Sequence, residues 1–206
     1  TLDENTIIQK VLCNSKKLSK FEIKDNIHII QTDIYASFKR DNILCHLPNT
    51  LKVLNLSGVV NMNDHLLDIV TSQSTQLIKL DISRSHITDI GLHYLKRLKY
   101  LKTCNLSFTR ITDDSFEIIG ELSHLRNINI SMCRLITDRG MGILVTKNPH
   151  LTHLSMEFTN IGQLAVIYMA NHLKNPMYIN MDYTSYAEFI NVSSLLYLQL
   201  YSVSII

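Results

Sequence analysis

The sequence predicts an α/β solenoid, with parallel strands lining the inner, concave side of a horseshoe-like coil and helices on its convex side. Three observations carry that prediction. The chain restarts its own pattern: LKVLNL begins at Leu51, LIKLDI at Leu77, LKTCNL at Leu101, LRNINI at Leu125 and LTHLSM at Leu151. Each unit carries apolar residues at positions 1, 4 and 6, followed by Ser or Glu at position 7. Three units then continue with the same pair, Thr88-Asp89, Thr112-Asp113 and Thr137-Asp138. A near-constant period of this kind is the signature of a repeat array.

Each element has its own reason. Near the N-terminus, Thr1-Leu2-Asp3 followed by Ile7, Ile8, Val11 and Leu12 fits the helical half of an early unit. Leu18, Phe21 and Ile23 fit the strand of the next one, which starts farther ahead of Leu51 than a regular step. The excess falls in residues 27–50, as an extended loop or an extra helical turn. Within the regular units, positions 3 to 7 alternate and read as a short strand with positions 4 and 6 on one face. A further apolar residue follows: Ile87, Ile111 and Ile161 at position 11, Met62 and Ile136 at position 12. Thr-Asp is then a helix N-cap signal ahead of apolar residues at helical spacing, such as Leu92, Leu95 and Leu98. Asn175-Pro176 mirrors Asn148-Pro149, so a strand starts near Tyr178, with Tyr178, Met181 and Tyr183. LLYLQL, with Leu195, Leu198 and Leu200, opens a last unit; its predecessor is too short for a proper helix and holds a turn instead.

One strand and one helix cannot bury their apolar sides alone. Stacked neighbours can, and each buried Leu or Ile then contributes about 1.5–3 kcal/mol. The expectation is a single array over residues 1–206, with the regular repeats at 51–176 and continuation beyond both ends in a parent protein.

LxxLxL, a polar stretch, Ile-Thr-Asp and a helix together resemble a leucine-rich repeat. The unit at Leu125, with Cys133 at position 9, Ile136-Thr137-Asp138, Gly140 and Asn148-Pro149, resembles the cysteine-containing subtype of F-box substrate receptors. That resemblance implies a non-catalytic protein-binding module, the substrate-recognition part of a ubiquitin ligase adaptor, whose F-box would precede residue 1. The alternative is an architectural subunit of a large mitochondrial or ribonucleoprotein complex, which open-ended repeats and the apolar tail YSVSII would suit.

Composition narrows the function classes. The net charge is +2, so bulk charge gives no support for nucleic-acid binding. The cysteines (Cys13, Cys45, Cys104, Cys133) are scattered, with no CxxC pair, which argues against zinc and fits reduced thiols inside a cell, cytoplasmic, nuclear or mitochondrial. Asn55, Asn105 and Asn129 head NxS triplets within strands, where a glycan would disrupt the array. The apolar run Leu164–Ala170 is too short to cross a bilayer. No nucleophile elbow, phosphate loop or dinucleotide fingerprint appears, so neither enzymatic activity nor a cofactor is expected. Cys133 near His150 or His153 is the nearest approach to chemistry, and a small group at position 9 serves better to satisfy buried backbone, as Ser85, Thr109 and Thr159 would.

The candidate site is the concave face. In leucine-rich repeats, positions 2, 3, 5, 7 and 8 point outward, which implies a cationic margin and an apolar one. Lys52, Lys79, Lys102 and Arg126 form the first, with His153 on the same side; Phe108, Met132 and Phe158, with Arg84, form the second. Exposed large side chains in a row mark a protein-binding site, with the cations steering an acidic segment. Stacked bases of an RNA are the competing ligand, but the cations are sparse.

Overall fold

The inward side chains of successive units pile into columns. Leu54, Leu80, Cys104, Ile128, Leu154 and Ile179 form one, and Leu56, Ile82, Leu106, Ile130, Met156 and Met181 the next, all buried. The computed structural model describes residues 18–22, 47–59, 62–184 and 204–205. Its strands are β1 (Lys20–Glu22), β2 (Val53–Asn55), β3 (Lys79–Asp81), β4 (Thr103–Asn105), β5 (Asn127–Asn129), β6 (His153–Ser155), β7 (Tyr178–Asn180) and β8 (Ser204–Ile205). They form one parallel sheet in sequence order. The register is uninterrupted: Lys20, Val53, Lys79, Thr103, Asn127, His153, Tyr178 and Ser204 lie side by side. This is the leucine-rich-repeat solenoid that the period predicts.

The strands are shorter than alternation suggested, covering positions 3 to 5 only. Beyond position 5 the backbone bends, yet it keeps bonding to the next coil. The position-6 amides of Leu56, Ile82, Leu106, Ile130 and Met156 donate to the position-5 carbonyls of the following unit at 2.8–3.1 Å. Position-7 groups were expected to face outward. Ser83, Ser107 and Ser131 are nonetheless buried, and Ser83 Oγ bonds the groove-lining Asp81 and the Ser57 hydroxyl of the preceding coil.

On the other side lie α1 (Asp64–Gln73), α2 (Asp89–Leu92), α3 (Ser115–Ile119), α4 (Asp138–Lys147) and α5 (Gln163–His172). The longer units, which start at Leu51 and Leu125, hold the ten-residue helices α1 and α4. The shorter ones, which start at Leu77 and Leu101, hold α2, continued as a 3₁₀ helix over His93–Arg97, and the five-residue α3. A 3₁₀ turn rises about 2.0 Å per residue against about 1.5 Å in an α-helix, so a shorter unit still spans the coil.

One expectation at the C-terminal side needs correction. Tyr178, Met181 and Tyr183 do not form one strand: β7 ends at Asn180, Ile179 and Met181 point inward, and Tyr183 is exposed beyond the bend. The strand paired with β7 is Ser204–Ile205, and LLYLQL lies outside the described residues. The step from Tyr178 to its partner Ser204 equals that from Val53 to its partner Lys79, the length of a full coil. The helical half assigned to residues 1–12, Ile23 and most of the 27–50 insertion also lie outside the described residues.

Candidate interaction surface

Position 8 is where the coil leaves the sheet, and its backbone is left-handed in every described unit. Gly58, Arg84, Phe108, Met132, Phe158 and Tyr183 have φ between 53° and 72°. The cause is a hydrogen bond that runs along the solenoid. The position-8 amides of Gly58, Arg84, Phe108, Met132 and Phe158 donate to the position-7 carbonyls of the next unit, Ser83, Ser107, Ser131, Glu157 and Asp182, at 2.7–3.1 Å. That turn swings the position-8 side chain out of the core. Phe108 and Phe158 are 45% and 40% exposed, Tyr183 is 72% exposed, and Met132 is half-buried. Phe158 and Tyr183 stack at 4.4 Å with planes 7° apart, and the Arg84 guanidinium sits 5.3 Å over the Phe108 ring. Sequence reasoning missed Tyr183 as a member of this row. Counting on from Ile179 as position 4 would have found it.

Behind the rim runs a groove of about 400 Å³, lined by groups from β1 through β7. Its walls carry Asn55, Asp81, Thr103, Asn105, Asn127, Asn129, His153, Ser155 and Tyr178. The position-5 residues are preorganised by the fold. The carbonyl oxygens of Asn55, Asn105, Asn129 and Asn180 accept the amide two residues on, closing the bend, while Asn105 Nδ2 donates to Asp81 at 2.9 Å. His153 stacks on Tyr178 at 6.1 Å.

The predicted cations fare differently from one another. Lys79 and Lys102 are exposed in the sheet lanes. Lys52 Nζ donates to Gln76 Oε1 at 3.2 Å, and the Arg126 guanidinium donates to the Leu125 and Ser123 carbonyls. Both are half-buried and held close to the protein. The residues sequence reasoning overlooked are at position 10: His86, Arg110 and Arg134, all exposed and each two residues after the position-8 side chain of its coil.

Position 9 turns inward and closes the coil. The hydroxyls of Ser85, Thr109 and Thr159 donate to the position-6 carbonyls of Ile82, Leu106 and Met156 at 2.6–2.7 Å. The Cys133 thiol donates to the Leu106 carbonyl at 3.2 Å, and burial raises its pKa against opposing hydrogen bonds from Thr109. Cys104, under the groove, is pushed up to about 12 by burial, with Asp81 adding to the effect. Both thiols are structural in geometry and far from the thiolate form that nucleophilic chemistry needs. Among the described residues, no cluster of His, Cys, Asp or Glu could hold a metal, and no helix is long and apolar enough to cross a membrane.

The comparisons with known proteins agree with this geometry. A leucine-rich-repeat family model matches residues 147–170. No curated protein matches the sequence. Among solved structures, an internalin from Listeria monocytogenes superposes with a TM-score of 0.57 at 21% identity, covering 78% of this chain and 42% of that one. A chain from the Rad7–Elc1 complex of yeast superposes with a TM-score of 0.59 at 19% identity, covering 80% of this chain and 42% of the other. The chain thus spans less than half the length of these structural neighbours, and at such identities the likeness is one of fold. The matched repeat, the coil geometry and the superpositions together make the fold that of a leucine-rich-repeat solenoid.

Proposed function

We propose that the chain is a non-catalytic protein-binding module that grips its partner along the groove and the position-8 rim. One observation carries this reading: large side chains stand exposed on a left-handed backbone in unit after unit, beside a groove lined by prepositioned amide groups. Rings displayed in this way give broad contact area at low entropic cost, and the groove supplies hydrogen-bonding partners at its floor. The finer reading is the substrate-recognition part of an F-box-type ubiquitin ligase adaptor inside the cell. The cysteine-bearing unit at Leu125 supports it, as does the likeness to a chain crystallised in a two-protein complex.

A second reading, an architectural subunit of a larger mitochondrial or ribonucleoprotein assembly, is favoured by a separate feature. Leu164, Ile167 and Tyr168 lie exposed at helical spacing on the outer side of α5.

Affinity capture with the tagged chain, read by mass spectrometry, tests both. Three variants are compared with the wild type: Thr103→Trp, which fills the groove, the pair Phe108→Ala and Phe158→Ala, and the pair Ile167→Glu and Tyr168→Glu. Partners retained by the wild type and lost in the first two variants support the module, and ubiquitin-ligase components among them support the adaptor. Loss confined to the α5 variant supports the subunit instead. Identical retention by all four proteins would end the protein-binding reading of the groove.

A further inference from the structure

We infer that positions 8 and 10 together form a docking strip for an extended peptide that is acidic in one half and aromatic or aliphatic in the other. This rests on the protein-binding reading above and narrows it to one partner chemistry. The argument starts from how charges are used. Asp64, Asp89, Asp113 and Asp138 hold backbone amides of the next unit. Asp81 closes a bend, and Asp68, Asp114, Glu117 and Glu121 pair with Arg97, Arg139, Lys147 and Lys96 on the helical side. The carboxylates are thus largely spent inside the fold or on its outer side. Arg84, Arg110 and Arg134 are exposed on three successive coils with no ion pair among the described residues. A net charge of +2 conceals this surplus on one rim. Neighbouring coils lie about 5 Å apart at the sheet, a spacing that consecutive Asp or Glu side chains can follow.

The strip changes character along its length. Phe108 and Met132 share the coils of Arg110 and Arg134, and past those coils the row continues as the stacked plane of Phe158 and Tyr183. In this half the position-7 residues are Glu157 and Asp182, where the earlier units have Ser. A nucleic acid carries its charge evenly and would meet these carboxylates where the rings would have to stack its bases. A peptide can confine its charge to one end. The geometry therefore sets the polarity as well: acidic residues over Arg84, Arg110 and Arg134, an apolar anchor over Phe158 and Tyr183.

The test pans a random dodecapeptide library on the whole chain. Fluorescence anisotropy then compares the best peptide, its amidated Asn/Gln analogue and a uridine dodecamer RNA. The triple variant R84Q/R110Q/R134Q and the pair F158A/Y183A are measured beside the wild type; all five side chains are solvent-facing, and melting curves check folding. Enriched peptides should place an acidic cluster beside an aromatic or Leu anchor. Each variant should weaken binding by about tenfold or more. The loss in the arginine variant should shrink at high salt. Enrichment without acidic residues, unchanged binding by the triple variant, or RNA bound tighter than any peptide would overturn the inference. If the triple variant still captures the natural partner while Thr103→Trp does not, the strip is refuted and the protein-binding module stands. If neither variant affects capture, both fall.

Discussion

At the scale of single residues, the left-handed turn at position 8 sets both a cost and an opportunity. A side chain held at positive φ crowds its own carbonyl, at a cost of about 1–2 kcal/mol that glycine escapes. Gly58 shows the relaxed solution, yet Arg84, Phe108, Met132, Phe158 and Tyr183 all carry a Cβ there. Phe108→Gly should therefore raise stability by about 1 kcal/mol while weakening partner binding. Thermal denaturation checks the first part, and a lowered Tm would show that the ring packs in place of presenting itself. Cys104 gives a different kind of prediction. Its ordinary value is 9.0 and burial lifts it to about 12, so between these values the folded chain keeps a proton that the unfolded chain releases. The stability tied to the neutral thiol is complete below 9 and drains away as the pH rises toward 12. Urea midpoints measured across that window should fall, and those of Cys104→Val should fall less.

At the scale of elements, the sequence was readable wherever a signal was local. Thr88 and Thr137 do cap α2 and α4, accepting from Ile90 and Arg139 as the Thr-Asp pair implied. The aspartate that follows each Asn or Thr at this place does something no local reading can see. Asp64 accepts from the amide and hydroxyl of Thr88, Asp89 from those of Thr112, and Asp113 from those of Thr137. Each partner lies one coil farther along the chain, so the bond exists only once the units have stacked. Thr112 shows the limit of the cap signal: α3 starts later, at Ser115, and the side chain of its N-cap Asp114 makes no capping bond. Asp113→Ala should cost about 1–3 kcal/mol, because it strands a donor pair on Thr137 between coils. Hydrogen exchange should show the Thr137 amide losing protection ahead of the strands. Uniform loss across the molecule would make Asp113 a general packing residue.

At the scale of the whole molecule, the periodic core is what the sequence displays most openly, since the same places are apolar in every unit. The columns through Leu54 and Leu56 continue unbroken to Ile179 and Met181. Ile130→Ala, in the middle of one column, should therefore cost about 2–5 kcal/mol and lower the melting of coils on both sides. Calorimetry would contradict this if the transition split with one half unmoved. Surface function was far less legible. Lys52 and Arg126 stand in the predicted cationic margin, where the three-dimensional path ties them to nearby acceptors, while Arg110 and Arg134 emerge as exposed and without an ion pair among the described residues. Total charge was equally mute, because it cannot say which carboxylates are already engaged.

The aspartate relay between coils also has a direction. Every link reaches forward, and the last described one is Asp138 to the amides of Gly162 and Ala165. The following unit has Gly162-Gln163 where the others have Thr-Asp or Asn-Asp, and α5 begins without a side-chain cap. Glu157 accepts from Asn180 on the sheet side, but on the helical side no carboxylate of that unit among the described residues holds the coil of β7. Warming should accordingly fray the array from α5 and β7 backward, with deuterium entering there first and Asp138 acting as the knot at which the unravelling pauses.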